Sequence, residues 1–303
     1  MEKHILQPTE FKSINRENFS TSGDVRGINF IKLNPSDNTT ILITDYIDPE
    51  YYADTANKIL SYPYLNSEQL GYICESDIGN AVIRLQMPAD EFCGDGLLSA
   101  ATLVKWMNYT DSDDFFVQSS GMNELSECRV VQLNTNTYRS RASMPLEHQL
   151  TDYEIVCENH KVDGKLLVLP GISHFIITAD GHNYSKNFIK ALIRHVASDI
   201  KANAIGIIPY YVTADSIRIE PCIHVPKTGK LLFEQGCGSG SLALGIYFAY
   251  KNKKDIHMSI EQPGGVIDVE VNISIKYPEG QIKLKSSFLE TDISITSEGK
   301  VYI

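Results

Sequence analysis

No two cysteines in this chain stand in a CxxC pair, and no cysteine–histidine spacing matches a zinc site. The six cysteines, Cys74, Cys93, Cys128, Cys157, Cys222 and Cys237, are scattered over 303 residues. That is no disulfide framework, so a reducing compartment, the cytoplasm, is expected, and no metal site. Long apolar runs are missing: nothing approaches the roughly 20 residues that cross a bilayer. The first residues, Met1 to Ile5, lack the apolar core of a secretory signal. Basic residues are scarce, 27 Lys and Arg against 38 Asp and Glu, a net charge of −11. Such a surface offers no phosphate footprint, which argues against a nucleic-acid partner. There is no GxGxxG opening a helix, no Walker loop and no Gly-x-Ser-x-Gly elbow. Nothing nominates a Schiff-base lysine with a phosphate cup, so no organic cofactor is expected.

What the chain does have is one short pattern twice. Glu91-Phe92-Cys93-Gly94-Asp95-Gly96 is matched far downstream by Gly236-Cys237-Gly238-Ser239-Gly240. Each cysteine sits in a glycine turn followed by a proline-free apolar run. The first run holds Leu97, Ala100, Ala101, Val104 and Met107; the second holds Leu242, Ala243, Ile246 and Ala249. That spacing predicts an amphipathic helix in both places, with a cysteine at each start. A helix N-terminus carries free N–H groups and partial positive charge. There a thiol is expected to ionise below its usual value of about 8.5, and a carboxylate can be held. With one thiol on each face of a substrate's α-carbon, one removes a proton and the other supplies one, which is racemisation by two bases. A single Cys-Gly turn is more often packing than chemistry; two matched copies favour chemistry.

Taken in order, residues 1 to 26 are polar and weakly patterned, and read as an extension. Strands are expected at Ile28 to Leu33 and Thr39 to Thr44, with Asn34-Pro35-Ser36-Asp37-Asn38 as the turn between them. Asp48-Pro49 starts a helix to about Ser61. Strands at Gln69 to Cys74 and Ala81 to Met87 lead to the Cys93 helix. Three more strands, at 115–118, 127–132 and 137–143, bring the chain to Met144-Pro145, a domain boundary. The second half repeats the grammar. Strands near 152–156, 166–169 and 174–178 precede a helix from about Ser185 to Ala202, with the stripe Phe188, Leu192, Val196 and Ile200. Strands at 204–208 and 216–221 precede the Cys237 helix. The strands that follow run from about Ser259 to the end, broken by Pro263-Gly264-Gly265 and Pro278-Glu279-Gly280. This is a coarse internal duplication. Strands do not alternate one for one with helices, so a doubly wound parallel sheet is disfavoured. The expected fold is α+β: two similar domains, 27–145 and 146–303, each a mixed or antiparallel sheet wrapped round a helix. The active site falls in the cleft between them, and the last strand is free to return to the first domain.

The paired motifs resemble those of the diaminopimelate epimerase superfamily. Phe30-Ile31-Lys32-Leu33 with Asn38, Glu68-Gln69-Leu70 and Gln262-Pro263-Gly264-Gly265 are similar to its other landmarks, in the same order. The likeness runs from about residue 28 to the end. Within the superfamily the chain most resembles the histidine racemases of staphylopine-type metallophore pathways. Asn34-Pro35-Ser36-Asp37-Asn38-Thr39-Thr40-Ile41-Leu42, Glu68-Gln69-Leu70-Gly71, Glu91-Phe92-Cys93-Gly94, Phe233-Glu234-Gln235-Gly236-Cys237-Gly238-Ser239-Gly240, Gln262-Pro263-Gly264-Gly265 and the ending Gly299-Lys300-Val301-Tyr302-Ile303 resemble that branch. The resemblance implies a cofactor-independent isomerase acting on a small amino acid, with histidine as substrate, a thiol pair, and a homodimer as in many relatives. Departures bear on the substrate. Diaminopimelate epimerases carry a Glu-Arg pair before the second cysteine, where this chain has Lys227-Thr228-Gly229-Lys230. Of their Asn-Pro-His segment, Ile172-Ser173-His174 keeps only the histidine. Losing those polar partners counts against a substrate with a second amino-acid group. The superfamily's usual asparagine is Asp95 here. A carboxylate opposes thiolate formation unless it points away or binds a cation, and both options are open at this point.

Cys93 and Cys237 are thus the acid–base pair. Gly94, Asp95, Gly96, Gly238, Ser239 and Gly240 are candidates to bind the substrate carboxylate through main-chain N–H groups, although tight turns need glycine anyway. Glu68 and Glu234 either bind the substrate ammonium or are solvated carboxylates. Asn38 orients the site or completes a turn. His174 lines the cleft or is a structural histidine, and Gln262 pins a turn. Competing readings are a diaminopimelate or hydroxyproline epimerase, a cysteine nucleophile with His174 or His224 as base, and a non-catalytic amino-acid-binding protein.

Overall fold

The computed structural model describes residues 27–181, 184–213, 216–276 and 281–303. The extension read at 1–26 and the turn Pro278-Glu279-Gly280 lie outside the described residues. The first half runs β1 (Gly27–Pro35), β2 (Thr40–Ile43), α1 (Tyr52–Leu60), β3 (Gln69–Cys74), β4 (Ala81–Gln86), α2 (Gly94–Trp106), β5 (Asp114–Ser119), β6 (Ser126–Gln132) and β7 (Thr137–Ser143). The second begins with β8 (Gln149–Cys157), β9 (His160–Leu169), β10 (Ile172–Thr178), α3 (Lys186–Asp199), β11 (Ala204–Val212), β12 (Ile217–Ile219), β13 (Cys222–Val225) and β14 (Lys230–Phe233). It ends with α4 (Gly238–Asn252), β15 (Ile256–Gln262), β16 (Gly265–Lys276) and β17 (Gln281–Tyr302). No described helix is long and apolar enough to cross a membrane.

The strands form one hydrogen-bonded network of mixed direction. β2–β3, β4–β5, β10–β11 and β12–β15 are parallel, and the other pairs are antiparallel. The 22-residue β17 joins both halves. Its first part pairs with β16, its middle with β7, and its end with β1, where Gly27 lies opposite Tyr302. The sheet curls into a barrel-like core around the cysteine helices. α2 packs against β1 through β7 and β17, and α4 against β9, β10 and β15 to β17.

That enclosure corrects one expectation. α2 and α4 are not amphipathic: Gly94 through Val104 are all buried, as are Gly238 through Ile246. A helix apolar all round belongs inside, and the small residues Gly94, Gly96, Ala100 and Ala101 let strands close on every side. α3 is one-sided as predicted, but its stripe is centred differently: Leu192 and Val196 are buried with their neighbours Ile189 and Ile193, while Phe188 and Ile200 are only half-buried. Two strands escaped the sequence reading. β13 and β14 are four residues each, between Pro221, Pro226 and Gly229. They are held by pairing with each other and with β11 rather than by a pattern of their own.

Candidate active site

Each cysteine is the N-cap of its helix. Cys93 and Cys237 are in the extended region, φ −134° and −144°. Their Sγ atoms accept from the N–H three residues on, Gly96 at 3.3 Å and Gly240 at 3.4 Å. A thiol thus does the work of the usual serine or aspartate cap. The two helix starts abut. A Cβ placed on Gly94 would lie 3.2 Å from Gly238 Cα, and one on Gly238 would lie 3.1 Å from the Asp95 nitrogen. Only glycine lets two helix ends come this close.

Both cysteines line one pocket. Its other walls include Gln69, Glu91, Gly94, Asp95, Thr228, Lys230, Glu234 and Ser239, so both halves of the chain contribute. Six site residues from the sequence reading are on this wall: Cys93, Gly94, Asp95, Glu234, Cys237 and Ser239. The other six stand behind or beside it. Gly96 and Gly240 spend their N–H groups on the thiols. Gly238 donates its N–H to Asp95 Oδ2 at 2.9 Å. In the first turns this leaves the N–H groups of Gly94, Asp95 and Ser239 to hold an anion.

Asn38 does both things asked of it. Its backbone N–H closes the β1–β2 turn on Pro35 O at 2.8 Å, while its side chain donates to Asp95 Oδ2 at 3.0 Å. The turn passes through Ser36 and Asp37 in the left-handed region. His174, fully buried on β10, sits behind Ser239 with Nε2 2.9 Å from Ser239 Oγ. Burial pushes it down to about 3, so it is neutral. Glu68 precedes β3, and its Oε2 is buried without a partner. Burial pushes its carboxyl up to about 7, against the opposing pull of Lys230.

Three residues with a place in the site had no catalytic signal in the sequence. Gln69 accepts from the Cys93 thiol through Oε1. Gln262 takes the Cys237 N–H on Oε1 at 2.6 Å and donates from Nε2 to Ser241 Oγ at 2.9 Å. It anchors the start of α4 rather than the glycine turn beside it. Lys230 reaches the pocket from β14, and burial lowers its pKa while Glu234 and Glu68 raise it. The quoted segments around Gln69 and Gln262 were the one available clue. Replacing Gln262 with leucine should leave the buried Cys237 N–H unpaired. We expect a loss of about 1–3 kcal/mol in unfolding free energy, read by chemical denaturation.

The thiols overturn a second expectation. Both are held well above the ordinary thiol value. For Cys93 burial comes first, then the Asp95 charge; for Cys237 burial is followed by Glu234 and Asp95. The Gly96 N–H acts the other way on Cys93, and the Ser239 hydroxyl on Cys237, but neither wins, because desolvation of a buried thiolate outweighs one hydrogen bond. Glu234 is itself pushed up to about 8 by burial. Among the described residues, no group of three or more His, Cys, Asp or Glu could hold a metal ion.

The chain is similar to known proteins in sequence and, separately, in fold. The chain is 27% identical over 246 residues to a histidine racemase of Staphylococcus aureus, covering 79% of this chain and 87% of that one. It is 28% identical over 287 residues to a histidine racemase of Fusobacterium nucleatum, covering 93% and 99%. In fold it is similar to a hydroxyproline epimerase from Agrobacterium vitis, solved with bound trans-4-hydroxy-L-proline. That TM-score is 0.71 at 9% identity, over 92% of this chain and 93% of the other. A probable proline racemase from Agrobacterium radiobacter gives 0.67 at 10% identity, over 89% and 93%. The model of the family described as histidine racemase CntK N-terminal domain matches residues 27–302, and the chain belongs to that family.

Proposed function

We propose that this racemase interconverts L- and D-histidine without an organic cofactor, using Cys93 and Cys237 as a two-base pair. One observation carries the reading: two cysteines cap two abutting helix starts on the wall of a single pocket. The open N–H groups of Gly94, Asp95 and Ser239 receive the α-carboxylate, whose charge suits two converging helix ends. The α-carbon then lies between the sulfurs. One thiolate takes the α-proton while the opposite thiol delivers another, so the thiol and thiolate exchange roles with each inversion. The acidic wall of Glu91 and Glu234, with Glu68 beside it, suits a substrate carrying an ammonium group and a basic side chain. The histidine racemases of the two relatives support histidine over other basic amino acids.

The pocket is read as the cleft between domains 27–145 and 146–303, with 1–26 as an extension. The six free cysteines fit cytoplasmic work, and the D-histidine product fits the assembly of an opine-type metallophore. The deciding experiment is incubation of L-histidine in deuterium oxide. D-histidine should form on a chiral column, with deuterium at the α-position by NMR. If histidine stays inert while hydroxyproline or diaminopimelate is inverted, the substrate assignment falls. If no amino acid exchanges its α-proton, the two-base reading falls with it.

A further inference from the structure

Asp95 belongs to the first turn of α2, but its carboxylate serves the other helix. Oδ2 accepts from the Gly238 N–H, the first of α4, and from Asn38 Nδ2. The residue is 2% exposed, and Oδ1 has no partner within hydrogen-bond distance. Among the described residues, no cation lies within 4 Å of it to form an ion pair. So burial opposes the Asp95 charge, and neutral donors alone support it, Gly238 and Asn38 with the Gln69 side chain beside them, at the point where two partially positive helix ends are pressed together. Those ends repel, and a negative charge between them relieves the repulsion. An asparagine could make the same two contacts. Its Oδ1 would take the Gly238 N–H, and Asn38 could turn its own unpartnered Oδ1 toward the new Nδ2. Hydrogen bonding alone therefore does not call for an acid here. A charge does something more, because both thiols lie within its reach.

Resting on the two-thiol reading above, we propose that Asp95 is a positioning residue whose carboxylate clamps the start of α4 to the start of α2 and sets the charge that both cysteines feel. Its negative field favours the thiol over the thiolate at either sulfur. The other charges facing the pair are Glu91 ahead of α2, Glu68 ahead of β3, and Lys230 and Glu234 at β14 and just after it. His174 is neutral, and Asp37 is exposed in the β1–β2 turn. Of these, only Asp95 touches the backbone of both cysteine helices.

The test is Asp95→Asn in the full-length protein. Iodoacetamide alkylation of Cys93 and Cys237 is followed against pH by peptide mass. Removing the negative charge makes thiolate easier to form, so the alkylation midpoint should fall by about one pH unit. The acid limb of kcat/KM should move down with it. Should that variant fail to fold, Asn38→Ala removes the carboxylate's side-chain donor and leaves both helices intact. It shifts Asp95 toward its neutral form, so the same midpoints should fall by a smaller amount. Unchanged alkylation and rate profiles in the folded variant would overturn the proposal. Retained turnover in Cys93→Ser and Cys237→Ser would sink the two-thiol reading instead, and the alkylation midpoints would still decide the role of Asp95.

Discussion

Serine in place of Cys93 or Cys237 should cut racemisation by at least about 10²–10⁴-fold, the usual worth of a positioned acid or base. The substitution is clean. Serine is a better N-cap than cysteine, so it can keep the bond to Gly96 N or Gly240 N and the helix start should hold. What is lost is an ionisable group on one face of the substrate, since a hydroxyl ionises far above a thiol. The remaining thiol still faces one enantiomer. Each variant should therefore exchange the α-proton of one enantiomer slowly without inverting it, and the two variants should choose opposite enantiomers. Chiral chromatography reads the inversion and NMR in deuterium oxide reads the exchange. Full inversion by either variant would remove that sulfur from the mechanism. Cys128→Ser, at a buried thiol on β6 facing Ser126, is the control expected to keep turnover.

The second large effect should come from Gly121→Ala. Gly121 has φ +69°, where a side chain is strained, and a Cβ there would sit 2.4 Å from the Phe92 nitrogen and 2.7 Å from Phe92 Cα. The obstacle is backbone, not a side chain that can swing away, and the next residue is Cys93. Relief requires moving the segment that sets the first thiol. The left-handed conformation costs about 1–2 kcal/mol for a non-glycine residue, and the collision adds to it. A total near 3 kcal/mol is expected, with a drop of several degrees in Tm. Gly229→Ala separates the two terms. Gly229 has the same φ, +69°, but nothing within 4 Å of an added Cβ, so it bears only the conformational cost. Equal stability of the two variants would show that the Phe92 segment yields easily. In that case Cys93 is less firmly placed than its surroundings imply.

Much of the fold could be read from local pattern. β3 and β7 appear at their expected bounds because their residues suit a strand and turn signals flank them. Asp48-Pro49 does open a turn, with Asp48 Oδ1 accepting from Glu50 N at 3.2 Å, but it is a 3-10 turn over Pro49–Tyr51 that leads into α1 at Tyr52. The cysteines were legible because each sits in a repeated glycine turn, a local signal. The burial of α2 and α4 was not, since a run rich in glycine and alanine reads the same whether one side or all sides are covered. The thiols' ionisation was misjudged for the same reason. The sequence shows the helix start that favours a thiolate, but not the desolvation that outweighs it. Nor could a strand that exists only by pairing, such as β14, announce that Lys230 would reach the pocket.

β17 has a bearing on how the molecule is made. Residues 293–302 pair with residues 27–35, and residues 288–294 pair with β7. On the ribosome, β1 can pair with β2 early, but its other edge must wait until β17, more than 240 residues downstream, has been synthesised. Closure of the first half is thus among the latest steps of assembly, and so many distant pairings make it slow. Until then the edges of β1 and β7 stay open to wrong partners, which makes the nascent chain, rather than the finished enzyme, the state most exposed to aggregation.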